Sequence, residues 1–152
     1  MDNNLTIAMK FVGKWEWGNR KDGGYTNDPD DPGGETKWGI SKKAHPDLDI
    51  ETLTLPEALD IYWNEYWQPA GCEDMELPMA VAVFDTAVNC GVSKAVAWEE
   101  DSFTYKELLA KRVNYYASLV RHKPALNKYY KGWINRIVDL RKYCDILSNE
   151  VA

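Results

Sequence analysis

The chain contains 152 residues, of which 45% are hydrophobic and 28% are charged, a composition typical of a compact domain without long disordered tails. Its formal net charge is −6, so it lacks the basic field that neutralises phosphates, and we expect no binding to nucleic acid. The sequence starts without a basic leader, and its longest apolar stretch covers only residues 79–84. We therefore expect cytoplasmic synthesis without a signal peptide and no membrane insertion.

Apolar side chains recur at helical spacing over residues 5–17. This spacing predicts a first helix with Asn3 or Asn4 as its N-terminal cap and Gly18 as its end. The stretch from Gly18 to Gly34 is dense in Gly, Asn, Asp and Pro, which are turn-forming residues. It predicts a long structured loop or a short β-hairpin directly after the first helix.

Four more helices are predicted from capping residues and apolar periodicity. Capping boxes at residues 54–57 and 104–107 start two of them, and prolines start the other two. Their predicted ranges are 54–67, 78–91, 104–121 and 124–147. The fold is thus expected to be mainly α. The polar cluster at 99–102 predicts a boundary between a core of residues 1–98 and a C-terminal helical hairpin of residues 99–152, packed together as one compact monomer.

The cysteines and histidines form no recognisable metal or nucleophile motif. Cys72, Cys90 and Cys144 are far apart in sequence, and only His45 and His122 are available to join them. Structural zinc sites need closely spaced ligand pairs, and a catalytic cysteine needs a histidine partner. We therefore expect free thiols and no metal site.

Glu16 is the first candidate for catalysis, because it ends the predicted first helix between Trp15 and Trp17. A glycoside hydrolase needs a carboxylic acid that stays protonated near neutral pH, and desolvation beside an indole ring favours the protonated form. These surroundings make Glu16 a candidate for such a proton donor. The alternative is an ordinary solvated glutamate in a last helical turn.

The loop after the first helix supplies further carboxylates and a hydroxyl. Four aspartates lie among its prolines and glycines, and Thr36 follows a Gly pair, where its hydroxyl could hold a water molecule for an inverting mechanism. Aspartates in such loops are also ordinary turn formers. A calcium loop starting at Asp28 is not supported, because its twelfth position is Gly39. The loop aspartates are Asp22, Asp28, Asp30 and Asp31.

Two aromatic residues are candidates for stacking on a sugar. The aromatic residues at helical spacing over 62–67 are assigned to the core. Tyr25 and Trp38 lie instead in the Gly-rich segment, where a large ring has less core to join. We therefore expect Tyr25 and Trp38 to contact substrate.

The segment 23–41, GGYTNDPDDPGGETKWGIS, resembles glycoside hydrolase family 108, the N-acetylmuramidases of phage endolysins and secretion-linked muramidases. Further matching segments are 61–67 (IYWNEYW), 84–91 (FDTAVNCG) and 131–136 (KGWINR), the last resembling the family's C-terminal peptidoglycan-binding helical region. The resemblance implies a lysozyme-like helical fold, no cofactor, and cleavage between N-acetylmuramic acid and N-acetylglucosamine in bacterial peptidoglycan. The enzyme would reach the wall after release or export, with a holin or an export system as its means of delivery.

The resemblance also implies specific site residues. In the family the catalytic glutamate directly precedes Gly-Gly-Tyr, whereas here residues 17–22 separate Glu16 from Gly23. Either six residues are inserted after Glu16, which we prefer, or Asp22 is the acid. Asp31 and Thr36 would complete a Glu, Asp and Thr arrangement of the phage-lysozyme kind, with Asp28 and Asp30 as alternatives, and Asn89 is a further substrate-binding candidate. Lytic transglycosylase activity and a non-catalytic wall-binding or secretion-associated role are the competing functions.

Overall fold

The computed structural model describes residues 2–151 and is mainly helical, with one small antiparallel hairpin after the first helix, as the sequence predicts. In this part of the chain the α-helices are α1 (Asn3–Trp17), α2 (Leu55–Tyr62), α3 (Leu77–Cys90), α4 (Val92–Glu100), α5 (Tyr105–His122) and α6 (Asn127–Val151). The strands are β1 (Thr36–Lys37) and β2 (Ile40–Ser41), and short 3₁₀ turns cover Cys72–Asp74 and Pro124–Leu126.

Helix α1 is amphipathic, and its apolar face packs into the core. Its cap differs from the prediction of Asn3 or Asn4, because the Asp2 carboxylate accepts a hydrogen bond from the Asn4 backbone N–H at 3.0 Å. An ionised carboxylate is a strong acceptor at the positive end of a helix, so Asp2 is the better cap. The helix ends at Gly18, as predicted.

The region between α1 and α2 is held together mainly by turns. The strands of the hairpin pair Thr36 with Ser41 and Lys37 with Ile40, leaving Trp38 and Gly39 at the tip. An isolated bridge joins Thr26 to Thr36 and ties the preceding loop to β1. The polar segment is therefore an ordered extension that reaches back toward the end of α1.

Helix α2 starts at the predicted capping box. The Thr54 side chain accepts from the Glu57 backbone N–H, and the Glu57 carboxylate accepts from the Thr54 backbone N–H. The helix then widens into a π-helical turn over Trp63–Trp67. Tyr62 and Trp67 are fully buried against Phe84, which confirms the assignment of these two rings to the core.

Helix α3 is the central element, since α1, α4, α5 and α6 all pack against it. Its segment from Pro78 to Ala87 is almost wholly buried. Helix α4 is not predicted from the sequence. The sequence predicts Gly91 only as the end of α3, but Gly91 is also the residue before α4, so one glycine separates two helices.

The C-terminal helices α5 and α6 pack against each other and against α3. Thr104 caps α5 through its hydroxyl, which accepts from the Glu107 backbone N–H. Pro124 starts a 3₁₀ turn and the long helix follows from Asn127. The division at residue 98 stays a prediction.

Within residues 2–151, no helix is both long enough and apolar enough to cross a bilayer. Cys72 and Cys144 are buried as free thiols, and Cys90 is partly buried. No group of three or more His, Cys, Asp or Glu side chains in the described part of the chain lies close enough together to hold a metal ion.

Candidate active site

Glu16 lies in the last turn of α1 and opens into a cleft between α1 and α6. The cleft has a volume of about 480 Å³, and the Glu16 side chain is 27% exposed. An acid that must reach a substrate needs this combination of a fixed backbone and an accessible carboxyl group. The cleft is lined by Trp15, Glu16, Asn89, Lys128, Tyr129, Gly132, Trp133 and Arg136.

One oxygen of Glu16 is bound by an arginine from the far end of the chain. Arg136 of α6 donates from Nη1 to Glu16 Oε1 at 2.7 Å, and its side chain is only 9% exposed. A charge-assisted bond of this length holds a carboxyl group firmly. Because Oε1 is occupied, Oε2 is the atom left to exchange a proton with a ligand in the cleft.

Arg136 is itself held by a buried carboxylate. Asp85 of α3 has no exposed surface and accepts from Arg136 Nη2 at 2.7 Å and from Arg112 Nη1 at 2.7 Å. Burial would raise the pKa of Asp85, but the two guanidinium groups outweigh it and hold the pKa below its ordinary value of 3.8. Asp85 is thus the buried anion that fixes both arginines.

Asn89 lies one helical turn after Asp85 and joins the same network. In the amide orientation that matches its neighbours, Asn89 Oδ1 accepts from Arg112 Nη2 at 2.9 Å and from Arg136 Nε at 3.3 Å. The predicted substrate-binding residue therefore lines the cleft and also contacts the arginines. The side-chain nitrogen of Asn89 takes no part in the two hydrogen bonds with the arginines.

The six residues that separate Glu16 from Gly23 form a compact turn. Gly23 donates to the Arg20 carbonyl at 3.0 Å, and the chain then returns to the helix end. A Cβ added to Gly24 would lie 3.0 Å from Trp17 Cβ, so Gly24 packs directly on the residue after Glu16. The turn restores the proximity of the glutamate to the glycine pair despite the extra residues, and this favours Glu16 over Asp22.

The hairpin tip touches Glu16 from the other side. A Cβ added to Gly39 would lie 3.2 Å from Glu16 Cβ and would collide with the Tyr62 hydroxyl. That hydroxyl donates to the Trp38 carbonyl at 2.9 Å. Burial and the nearby Glu16 carboxylate raise the pKa of Tyr62 well above its ordinary value, so the hydroxyl stays protonated and the hairpin stays in place.

Asp22, the alternative acid, is in a solvated turn. Its Oδ1 accepts from the Gly24 backbone N–H at 3.0 Å, and its Oδ2 pairs with Arg20 Nη2 at 2.7 Å. The Gly24 N–H and Arg20 lower the pKa of Asp22 below 3.8. Asp22 is exposed and does not line the cleft that Glu16 opens into, so it is poorly placed to donate a proton to a ligand there.

The other loop carboxylates also act as turn formers. Asp28 accepts from the Asp30 N–H at 2.9 Å, and Asp31 accepts from the Gly33 N–H at 2.8 Å, in exposed positions. Gly33 lies beside both Asp31 and Ser41, at the open end of the hairpin, whereas Glu16 meets Gly39 at its tip. Asp31 and Glu16 are therefore near opposite ends of one short hairpin, and no hydrogen bond within residues 2–151 joins them.

Thr36 lies in β1, where its backbone exchanges two hydrogen bonds of 2.9 Å with Thr26. Its side chain is partly exposed. Thr36 pairs with Ser41 across the hairpin, on the same end as Asp31. The catalytic roles of Asp31 and Thr36 stay predictions.

The two aromatic candidates differ in exposure. Tyr25 is partly exposed and donates to Glu35 Oε1 at 2.8 Å, a bond that, with burial, raises the pKa of Tyr25 to about 12. Trp38 is only 9% exposed, and its Nε1 donates to the Leu53 carbonyl at 2.8 Å. The expectation that Trp38 has little core to join is wrong, because the hairpin packs this ring edge-on against Trp17. A ring buried in this way offers a sugar little surface, so Tyr25 is the better candidate.

The opposite side of the cleft is a surface of α6 that we call the α6 wall, formed by Lys128, Tyr129, Gly132 and Trp133. Tyr129 is 49% exposed, yet its ring stacks on Trp133 at a centroid distance of 5.9 Å. Trp133 stacks in turn on the buried Tyr116 at 4.8 Å. The exposed Tyr129 ring is therefore held by a stack of aromatic side chains that extends to the core.

Comparison with known proteins identifies the family. The sequence profile of glycosyl hydrolase family 108 matches residues 15–91, which is 77 of the 152 residues and includes Glu16, the turn after it and the hairpin. The chain belongs to glycosyl hydrolase family 108. It is similar in fold to the solved structure of Brucella abortus SagA, with a TM-score of 0.68 and 20% identity over 95% of each chain. No curated protein matches it.

Family membership makes the chain a glycoside hydrolase by descent, and the matched range includes the candidate acid, the turn after it and the hairpin. The sequence predictions missed three residues of the network behind this acid: Arg136, which binds it, and Asp85 and Arg112, which lie behind Arg136. A signal for Asp85 was present, because it is the one charged residue in the apolar stretch 77–90. A carboxylate in such a stretch indicates a buried cationic partner.

Proposed function

We propose that this glycoside hydrolase is an N-acetylmuramidase that cleaves bacterial peptidoglycan, with Glu16 as the general acid. The observation that carries the proposal is the position of Glu16, which is anchored by Arg136 and yet open to a 480 Å³ cleft. The aromatic and amide groups around the cleft are suited to N-acetylated sugars, which present apolar ring faces and amide hydrogen-bonding groups.

In the proposed reaction, the proton on Glu16 Oε2 passes to the oxygen of the scissile bond as that bond breaks. Arg136 keeps Oε1 in place, so the donor does not rotate away from the substrate. A water molecule then attacks the sugar carbon, and Asp31, with Thr36, is the proposed group that orients it and accepts its proton. The products are two glycan ends, one of which is a new reducing sugar.

The test compares wild type with Glu16→Gln and Asp22→Asn on purified cell walls. Glutamine keeps the length of the side chain and an oxygen for Arg136 but has no proton to give. We expect Glu16→Gln to lose about 100-fold to 10,000-fold of the rate at which reducing ends appear, which is the usual contribution of a general acid. Asp22→Asn should retain near wild-type activity. Loss in Asp22→Asn alone would reverse the assignment, and loss in neither variant would remove acid catalysis by either residue.

The chemical nature of the new ends separates the alternatives. Reducing muramic acid ends support a muramidase, whereas anhydro-sugar ends would identify a lytic transglycosylase, which needs the acid but no activated water. Free amino groups would point to an amidase or peptidase. A wild-type protein that binds walls without releasing any of these products would be a non-catalytic binding module.

A further inference from the structure

The α6 wall contains a glycine that the fold itself does not require. Gly132 lies in the interior of a long helix, where glycine is less favourable than alanine by about 1 kcal/mol. It has an ordinary helical backbone, and a Cβ added to it would meet no neighbouring atom within 4 Å. Neither conformation nor internal packing explains it. Its effect is to leave open space in the cleft that holds Glu16.

The residues on either side of this space are suited to an anionic sugar. Lys128, Gly132 and Arg136 lie four residues apart, so they form one row along α6. Arg136 already pairs with Glu16 and Asp85, whereas Lys128 makes no ion pair within the described part of the chain. Its Nζ lies 5.0 Å from the centroid of the Tyr129 ring. The row thus runs from the Lys128 ammonium group, across the open space at Gly132, to the guanidinium group that binds Glu16.

We propose that the α6 wall is a binding subsite for the carboxylate-bearing sugar of the substrate strand. The sugar ring occupies the space over Gly132 and stacks on Tyr129, and its carboxylate pairs with Lys128. The inference rests on the proposed function, because it assigns the muramic acid unit, the acidic sugar of peptidoglycan, to this side of the cleft. The pairing is short-ranged, since the chain as a whole carries a charge of −6 and does not attract anions from a distance.

The experiment measures binding to insoluble glycan in the Glu16→Gln background, so that no cleavage occurs during the assay. The added substitutions are Gly132→Gln, which fills the space, Tyr129→Ala, which removes the ring, and Lys128→Gln, which removes the charge. The matched controls are Ala97→Gln, on an exposed position of α4, and Lys106→Gln, where the ammonium group lies near Tyr105 in the same way but outside the cleft.

We expect Gly132→Gln and Tyr129→Ala to weaken wall binding by on the order of tenfold, since the bound ring loses its space or its stacking partner. Lys128→Gln should weaken binding by about threefold at low salt, as an exposed ion pair does, and the difference should shrink at high salt. Gly132→Gln should keep or raise the melting temperature, because it removes a helix-interior glycine. A loss of binding in this variant is then not a loss of folding.

Three glycans distinguish the source of the carboxylate. Intact walls carry stem peptides, amidase-treated walls carry the free lactyl carboxylate, and chitin carries neither. An effect of Lys128→Gln on amidase-treated walls, but not on chitin, supports pairing with the lactyl carboxylate of the sugar. An effect confined to intact walls would come from the stem peptides and would overturn that pairing. An equal effect on chitin would overturn the carboxylate assignment. Binding by Gly132→Gln equal to that of its background would overturn the subsite itself, while unimpaired cleavage by Glu16→Gln would overturn only the catalytic proposal.

Discussion

The guanidinium of Arg136 connects two carboxylates with different surroundings, one in the open cleft and one in the core. Asp85 is the negative charge in the core, and its two oxygens bind the guanidinium groups of Arg112 and Arg136. Buried charges are tolerated when they are paired and hydrogen-bonded, as these are. Loss of the Asp85 charge therefore leaves both guanidinium groups without their shared anion.

Asp85→Asn is therefore expected to destabilise the protein strongly. It leaves the fully buried Arg112 without a carboxylate, and breaking a buried pair in this way costs about 3–5 kcal/mol. The matched control is Asp101→Asn, because Asp101 pairs with Lys111 at 3.1 Å but its side chain is 90% exposed. An exposed pair contributes about 0–1 kcal/mol. Urea denaturation of both variants is the measurement, and equal losses would contradict the role given to burial.

At the scale of secondary-structure elements, the sequence predicts the start or end of a helix where the residues that determine it are close neighbours in the chain. The capping box at Thr54 and the glycine that ends α1 could both be read from a few neighbouring residues. Helix α4 could not, because Gly91 serves two helices at once. The burial of Trp38 depends on contacts with Trp17 and Leu53 made by the folded hairpin, and the pairing of Glu16 with Arg136 joins residues 120 positions apart.

The hairpin supports the acid through its tip, and a pair of glycine substitutions isolates that contact. Gly39 and Gly34 both have positive φ, at 74° and 68°, so alanine at either position costs on the order of 1–2 kcal/mol of backbone strain. Only at Gly39 does the new Cβ meet Glu16 and Tyr62, whereas at Gly34 the nearest side-chain atom is 3.8 Å away.

We therefore expect Gly39→Ala to lower the rate of wall cleavage by on the order of tenfold or more, because the acid is displaced from its position. Gly34→Ala should lose stability but keep most of its activity. Reducing-end release and thermal melting, measured on both variants, test this expectation. Equal activity of the two variants would show that the hairpin tip does not position Glu16.

At the scale of the whole molecule, α1 and α6 are joined at a second point by an ionic contact. Asp139 of α6 accepts from Lys14 Nζ at 2.7 Å and from Trp15 Nε1 at 2.8 Å. Burial would raise the pKa of Asp139, but these two donors lower it below 3.8. Asp85 and Asp139 thus both bind protons more weakly in the folded state than in the unfolded chain.

These shifts predict the dependence of stability on pH. Because the folded-state pKa values of Asp85 and Asp139 are depressed, their stabilisation is present above 3.8 and is lost as the pH falls through the lower folded values. At the other extreme, burial raises the pKa of the Cys72 and Cys144 thiols from 9.0 to about 12. The unfolded chain then loses these protons first, and stability falls as the pH rises from 9 toward 12.

Urea denaturation at a series of pH values measures the curve of stability against pH, with its decline at low pH (the acid limb) and its decline at high pH. We expect a plateau between pH 5 and pH 8, with a decline on each side. Asp139→Asn should make the acid limb shallower, because one of the depressed carboxylates is gone. An acid limb of unchanged slope in this variant would show that Asp139 is not one of the groups responsible.

The bond between Glu16 and Arg136 also has a consequence for biosynthesis. A ribosome releases the N-terminal end first, so the acid is made 120 residues before the guanidinium that orients it. A nascent chain that ends before α6 carries the proton donor but lacks its anchor and one whole side of the cleft. Activity is therefore expected only after the last helix has been translated and has docked, and ribosome-stalled chains exposed up to residue 123 should leave walls intact.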